Sequence, residues 1–488
     1  MTDAPTDASA AVPLVDVRNG SAPVDGVLLP CYDRSRLRPA VVHFGVGGFH
    51  RAHQAVYFDQ LAGLGFTHWG VIGVGMHRPE MGEVLDAQDN LFTVVQRGTG
   101  DSEARVVGSM VEYLLLARDP DAVRERLADP RTRLVTLTIT ADGYRVPDDP
   151  EEARDTVFGL LVEALDARRR ADHAPFTVLS CDNLLDSAEV TREAVLSLAR
   201  RLDPDLAGWI AERATFPGSM VDRITPTTTP EDRDLVEQDF GVEDRWPVIT
   251  EPFSQWVIED AFCNDRPPLD RVGVRFVPDV APYKVIKSRL LNGAHCALGH
   301  VGYLAGHRST DEAMADPAVA DFVERLMREE IAPLLPADVP GMDLDDYCGT
   351  LLERFRNPAI ADPLSRLCRR GSTKVPDYLL PSLHEALAQG RPADRLTFAT
   401  AAWMRYLRGV DLAGEPIEVQ DARADELREA AVRGGDDPCA LLRFTDVFGD
   451  LDRDARCVAD LRRFLTALDH DGLPTAATAL SRRPSGDV

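Results

Sequence analysis

The chain has 488 residues, 44% hydrophobic and 27% charged, enough for two or three domains, each with its own core. Acidic residues outnumber basic ones 80 to 54, a formal net charge of -26 that disfavours nucleic acid and anionic membranes as partners. Eight cysteines with no CxxC or CxxH spacing argue against a disulfide framework and a structural zinc site, and Cys181, Cys296 and Cys368 read as small buried hydrophobes. No apolar run reaches the roughly 18 residues of a membrane-spanning helix. The first residues, small and acidic, lack the basic and apolar regions of a signal peptide, so a cytoplasmic location is expected.

Taken in order, residues 1–25 are rich in Ala, Pro, Asp and Ser and are expected to form a disordered lead-in. Residues 40–44 read as a short buried strand, running into Gly45-Val46-Gly47-Gly48-Phe49-His50-Arg51-Ala52-His53 and an amphipathic helix over 54–64. A second strand over 69–74 completes a βαβ unit, the entry to a dinucleotide fold, whose glycine turn lets backbone approach a pyrophosphate. Gly45 and Gly47 fill the first two glycine positions of that fingerprint, but His50 stands at the third. A tight turn without a ligand would show the same two glycines. His43, His50 and His53 are near one another, yet two of them flank this turn, and no metal is expected there.

Strand patterns follow at 92–95, 105–107, 134–140 and 176–181, with helical patterns at 152–170 and 187–202. This alternation gives an α/β fold with a doubly wound parallel sheet of Rossmann type, which binds ligands at the carboxyl ends of its strands. Two such ends carry polar clusters, Thr140-Ala141-Asp142-Gly143-Tyr144 and Cys181-Asp182-Asn183. Between 215 and 283 the pattern blurs: Met220 to Pro226 is strand-like, 246–258 and 272–277 are extended, and Asp222-Arg223 reads equally as a structural ion pair. Helices then dominate, at 282–304, 316–333, 345–355, 361–370, 377–388, 394–407, 422–433 and 454–469. The expected division is a lead-in over 1–25, a dinucleotide-binding domain over 26–281 and an α-helical substrate domain over 282–488.

The helix that opens this second domain carries Lys287, Asn292 and His295 within an apolar run of Leu290, Leu291, Ala294, Ala297 and Leu298. At roughly 100° per residue the three polar groups fall within an arc of about 140° on one α-helical face. A buried lysine is costly unless it is paired or gives up its proton, which makes Lys287 a candidate for proton transfer. Three satisfied core polar residues are the plainer alternative.

Several separated stretches together resemble the polyol-specific long-chain dehydrogenases. They are the 43–54 loop, Ser180-Cys181-Asp182-Asn183-Leu184, Met220-Val221-Asp222-Arg223-Ile224-Thr225-Pro226, Glu251-Pro252-Phe253-Ser254-Gln255-Trp256, Leu290 to His295 and Gly371-Ser372-Thr373-Lys374-Val375-Pro376. The resemblance runs from about residue 38 to 470 and is nearest to the mannitol 2-dehydrogenase branch, with fructuronate reductases and D-arabinitol 4-dehydrogenases as near relatives. It implies a metal-independent oxidoreductase, a monomer, moving hydride between a nicotinamide cofactor and a polyol or ketose, D-mannitol and D-fructose first. By resemblance Lys287 is the general acid-base, Asn292 and Asn183 hold the reacting oxygen, and His295 orients the substrate. Asp222, Arg366 and Lys374 bind the remaining hydroxyls, and Gly45, Gly47, Phe49 and Arg51 belong to the cofactor loop.

Two departures stand out. Family members commonly carry a glutamate three residues before the lysine, and here the residue is Lys284. After the second strand, Gly75-Met76-His77-Arg78-Pro79-Glu80 lacks an acid directly at the strand end. Such an acid binds the ribose of NAD, whereas an arginine accepts the phosphate of NADP. Glu80 is the candidate acid and Arg78 the candidate arginine; resemblance favours NAD. Arg366 and Lys374 would serve a carboxylate as well as a hydroxyl, which keeps fructuronate open, although residues 345–366 read closer to the mannitol enzymes. A binding protein without catalysis is the competing class, against which the joint presence of Lys287, Asn183, Asn292 and His295 counts.

Overall fold

The structure, a computed structural model, describes residues 11–18, 26–184 and 186–470. The chain divides into two compact units, Met1–Ala281 and Pro282–Val488. The first is built on a five-stranded sheet whose strands we number in chain order: β1 Pro39–Phe44, β2 Gly70–Gly75, β3 Met110–Leu115, β4 Leu134–Leu137 and β5 Thr177–Ser180. All neighbours pair in parallel and the spatial order is β3-β2-β1-β4-β5. This is the Rossmann order, with its reversal of direction between β1 and β4, where a doubly wound sheet opens a crevice for ligands. β1 lies centrally and is buried from Ala40 to Phe44, which explains its near-continuous apolar sequence.

Not every expected strand joins this sheet. Phe92–Gln96 and Glu103–Val107 pair antiparallel in a separate four-stranded sheet completed by Val27–Leu28 and Val248–Thr250. Alternation alone read them as part of the parallel array, while β3, which closes one edge of that array, went unread. A third sheet joins Ser219–Asp222, Gln255–Glu259 and Arg275–Val277. The helix expected over 152–170 is two helices, Pro150–Arg154 and Val157–Arg170, because the Thr156 side chain caps a new start by accepting from the Gly159 amide. Pro230–Phe240, missed in the blurred region, buries only Val236, so no hydrophobic period marks it; a capping box at Thr229 and Asp232 does.

Of the expected lead-in, residues 1–10 and 19–25 lie outside the described residues. Val12–Pro13 pairs with Val242–Glu243, and Leu14 of the turn Leu14–Arg18 is buried with Leu91, Val106 and Val242. This piece is ordered, anchored by one leucine.

The second unit is helical. Leu344–Phe355, Asp394–Tyr406, Ala424–Gly434 and Ala455–His470 lie where the hydrophobic period places them. Phe398 sits between Phe322 and Phe464, both edge-on with ring centroids at 5.3 Å. The main departure is at the opening helix, which runs as Ala281–Ile286, a π-helical turn over Lys287–Asn292, and then Gly293–Leu304. Two more π-helical stretches follow at Leu326–Ile331 and Val375–Leu379. No helix among the described residues is long and apolar enough to cross a membrane.

Candidate active site

A cavity of about 450 Å³ opens in the first unit beyond the carboxyl ends of β1, β2 and β4. Gly45, Gly47, Phe49 and Arg51 from the loop after β1, and Gly75 to Arg78 after β2, line it, with Tyr113, Thr138, Trp246 and Thr225 to Thr228 completing the wall. Gly45 has φ +96°, and a Cβ there would stand 2.1 Å from the Thr138 carbonyl oxygen. Only glycine fits, and the chain turns there with bare backbone toward the cavity. His50, at the third fingerprint position, is buried and stacks on His43 with ring centroids 3.5 Å apart. His43 in turn bonds Thr136 Oγ1 at 2.7 Å and Thr138 Oγ1 at 3.0 Å. The histidine thus packs the loop onto His43 of β1, which in turn bonds to β4. Burial pushes the His43 imidazole down to about 3 and that of His50 well below its ordinary range, so both are neutral.

Arg51 is a buried cation. Its guanidinium donates to the Trp246 carbonyl and lies 5.5 Å over the Phe92 ring, and burial draws it down to about 10, opposed by nearby Asp244. Arg78 lines the cavity from an exposed position; Glu80, also exposed, does not line it. A glycine loop, a flanking phenylalanine and two cations at the crevice of a Rossmann sheet fit a dinucleotide.

Asn183 follows β5 at the surface, on a loop held by its neighbour. Asp182 accepts from the Ile139 and Thr140 amides at 3.0 and 2.8 Å and from the Tyr144 hydroxyl at 2.8 Å, stapling the ends of β4 and β5 together. Both polar strand ends noticed in the sequence thereby become one assembly, in which Asp182 does the holding. Asp222 ends its strand buried. Arg223, beside it, donates to the Ala52 and Glu251 carbonyls, clamping the cofactor loop from below. Sequence reasoning noticed Asp182 only as part of a polar strand end and Arg223 only as a possible ion-pair partner of Asp222. It passed over Asp244, since nothing in an isolated Asp or Arg tells that its partners include backbone groups far along the chain.

In the second unit the π-helical turn changes the geometry expected of the opening helix. An α-helix would set Lys287 and Asn292 about 140° apart; the wider i→i+5 turn narrows that angle. Lys287, 8% exposed, and Asn292 bound this turn, and His295 lies on the next. Gly293 lets the opening helix pack closely on the π-helical stretch 375–379, since a Cβ there would lie 2.8 Å from the Tyr378 carbonyl oxygen. The Asn292 amide nitrogen and His295 Nε2 are buried without a hydrogen-bond partner among the described residues. Burial drives the His295 imidazole well below its ordinary range, helped by Arg366, Arg354, Lys374 and Lys287 around it. Its ring packs against Phe355 at 4.7 Å.

Arg366 makes a two-pronged ion pair with buried Asp362. Lys374 Nζ donates to the Arg366 and Leu367 carbonyls at 3.1 and 3.3 Å, and burial lowers it from its usual range. Both are therefore held in place by the protein before any ligand arrives. Lys284 is half-buried in the turn before Lys287. Among the described residues no group of three or more His, Cys, Asp or Glu is placed to hold a metal ion.

Comparison with known proteins agrees along most of the chain. Residues 39–271 match the model of the mannitol dehydrogenase Rossmann domain and residues 279–469 that of the mannitol dehydrogenase C-terminal domain. The chain belongs to the mannitol dehydrogenase family. Mannitol 2-dehydrogenase of Aspergillus fumigatus is 43% identical over 473 residues, 92% of this chain and 94% of that protein. The enzyme of the same name from Phaeosphaeria nodorum is 42% identical over 472 residues, 92% of this chain and 82% of that protein. Among solved structures, the ternary complex of Pseudomonas fluorescens mannitol 2-dehydrogenase with NAD and D-mannitol superposes with a TM-score of 0.86 at 38% identity, covering 97% of this chain and all of that one. A substrate-free D-sorbitol dehydrogenase gives 0.85 at 34% identity, covering 94% and 99%. The resemblance read from the motifs and the fold class read from the alternation are both borne out.

Proposed function

We propose that the protein is an NAD-dependent polyol dehydrogenase that interconverts D-mannitol and D-fructose at a secondary carbon, with no metal in the reaction. The observation that carries this reading is the Lys287–Asn292 turn, where a buried lysine stands with two unpartnered buried polar atoms, Asn292 Nδ2 and His295 Nε2, one turn apart. A buried donor without a partner costs about 1–3 kcal/mol, and a site that exists to bind oxygen explains it. The family membership and the NAD and D-mannitol bound by the Pseudomonas fluorescens relative support the same choice of cofactor and substrate.

NAD, when bound, supplies the hydride acceptor. Lys287 Nζ takes the hydroxyl proton in oxidation and returns it in reduction. Asn292 and Asn183 donate to the same oxygen as it gains negative charge. His295, kept neutral by burial and its cationic neighbours, has one nitrogen for donation or acceptance toward a vicinal hydroxyl. Asp222, Arg366 and Lys374 hold the remaining hydroxyls, with Arg366 and Lys374 pre-set by Asp362 and by backbone carbonyls. The same reading takes the enzyme to be monomeric and cytoplasmic.

Purified protein is assayed with NADH against D-fructose and D-fructuronate, and with NAD against D-mannitol and D-sorbitol. Turnover of D-fructose and D-mannitol supports the reading. Activity confined to D-fructuronate moves it to a uronate reductase, and none with any sugar leaves a binding protein.

A further inference from the structure

We propose that the dinucleotide cavity accepts NADP(H) as well as NAD(H), with Arg78 receiving the 2′-phosphate; this rests on the dinucleotide reading above. In a doubly wound fold the adenosine ribose lies against the end of the second strand, where an acid would bind its hydroxyls and repel a phosphate. Here β2 ends at Gly75, and Met76, His77 and Arg78 follow it along the cavity wall. Among the described residues no aspartate or glutamate lines the cavity. Glu80, two residues on, is exposed and outside the lining. Asp86, whose charge acts on Tyr113, is likewise exposed and outside it.

Arg78 itself forms no ion pair among the described residues, whereas Arg97 and Arg118 of the same unit pair with Asp232 and Asp119. Its guanidinium fork is therefore available, and a phosphate carrying about 1.5 to 2 negative charges is the ligand such a fork matches best. The other charged lining residue, Arg51, is also a cation and is committed to the Trp246 carbonyl. Both fixed charges of the wall thus favour an anion, and the one at the ribose end is uncommitted.

The full chain is titrated with NADPH and with NADH, following nicotinamide fluorescence with no sugar present. The expected result is NADPH affinity within about tenfold of that for NADH. Arg78→Ala should weaken NADPH at least about tenfold more than NADH, and Arg78→Lys should recover part of that loss. NADPH binding weaker than NADH by more than about tenfold, or equal losses for the two cofactors in Arg78→Ala, overturns the proposal. Failure to bind either cofactor overturns the dinucleotide reading itself, which separates the two.

Discussion

Gly45 and Asn292 mark two departures from regular backbone, one in each compact unit, and they depart in opposite ways. At Gly45 the chain gives up a side chain: φ is +96° and a Cβ would collide with Thr138. At the Lys287–Asn292 turn it inserts a residue into a helix, which narrows the roughly 140° that an α-helix would set between Lys287 and Asn292. On the proposed reading the first departure clears space for the dinucleotide. On the same reading the second aims side chains at the small substrate. A binding surface can be made by removing atoms, whereas a reacting centre has to place them.

Substitutions should separate these two strategies. The largest effect is expected at the reacting centre: Lys287→Ala should lower kcat for mannitol oxidation about 10³-fold, while NADH titration still shows binding. If kcat fell less than about tenfold, the lysine would not be the proton carrier. Gly45→Ala should act on binding instead, weakening NADH about 100-fold or more and costing about 2–4 kcal/mol of stability, since both φ and the Thr138 carbonyl oppose the methyl. Intact NADH affinity in that variant would show that the turn is not the cofactor cradle. Asn292→Ala should cost about 10²-fold in kcat yet leave the melting temperature unchanged or slightly higher, because it removes a buried amide that has no protein partner. A clear drop in stability would mark Asn292 as a structural residue.

The smallest effect is a difference in acid sensitivity. Burial holds His43, His53 and His300 down at about 3, and His50 and His295 well below their ordinary value. On unfolding each returns to about 6.5 and takes up a proton that the folded state refuses. Stability is therefore complete above about pH 6.5 and falls as the pH drops toward 3, by roughly 1.4 kcal/mol per pH unit for each histidine. His43, His50 and His53 belong to the first unit and His295 and His300 to the second, so the first should lose more. Calorimetry between about pH 7.5 and 5.5 reads this directly, and a flat melting profile over that range contradicts it.

Much of this was legible in the sequence because it depends on local pattern. β1, β2 and the Gly45 turn announce themselves by an apolar run meeting glycines, and the second unit by its helical period. What stayed hidden depends on partners far along the chain. β3 follows directly on the paired strands of another sheet, and nothing in its own residues says which sheet it joins. The π-helical turn leaves no mark in the hydrophobic period, since Leu290 and Leu291 are apolar in either geometry. Asp182 and Arg223 look like ordinary loop and strand charges until their backbone partners at 139–140, 52 and 251 are seen. The candidate substrate residues were named by resemblance, and what the fold adds is how Arg366 and Lys374 are held by Asp362 and by backbone carbonyls.

The most direct test of the central claim follows the hydride itself. Wild-type protein is given NAD and D-mannitol deuterated at both C2 and C5, the two equivalent carbons of this symmetric polyol, and the products are weighed by mass spectrometry. The expected result is one deuterium on the reduced nicotinamide and one retained in the D-fructose formed. Unlabelled NADH alongside fructose, or no NADH at all, would contradict it.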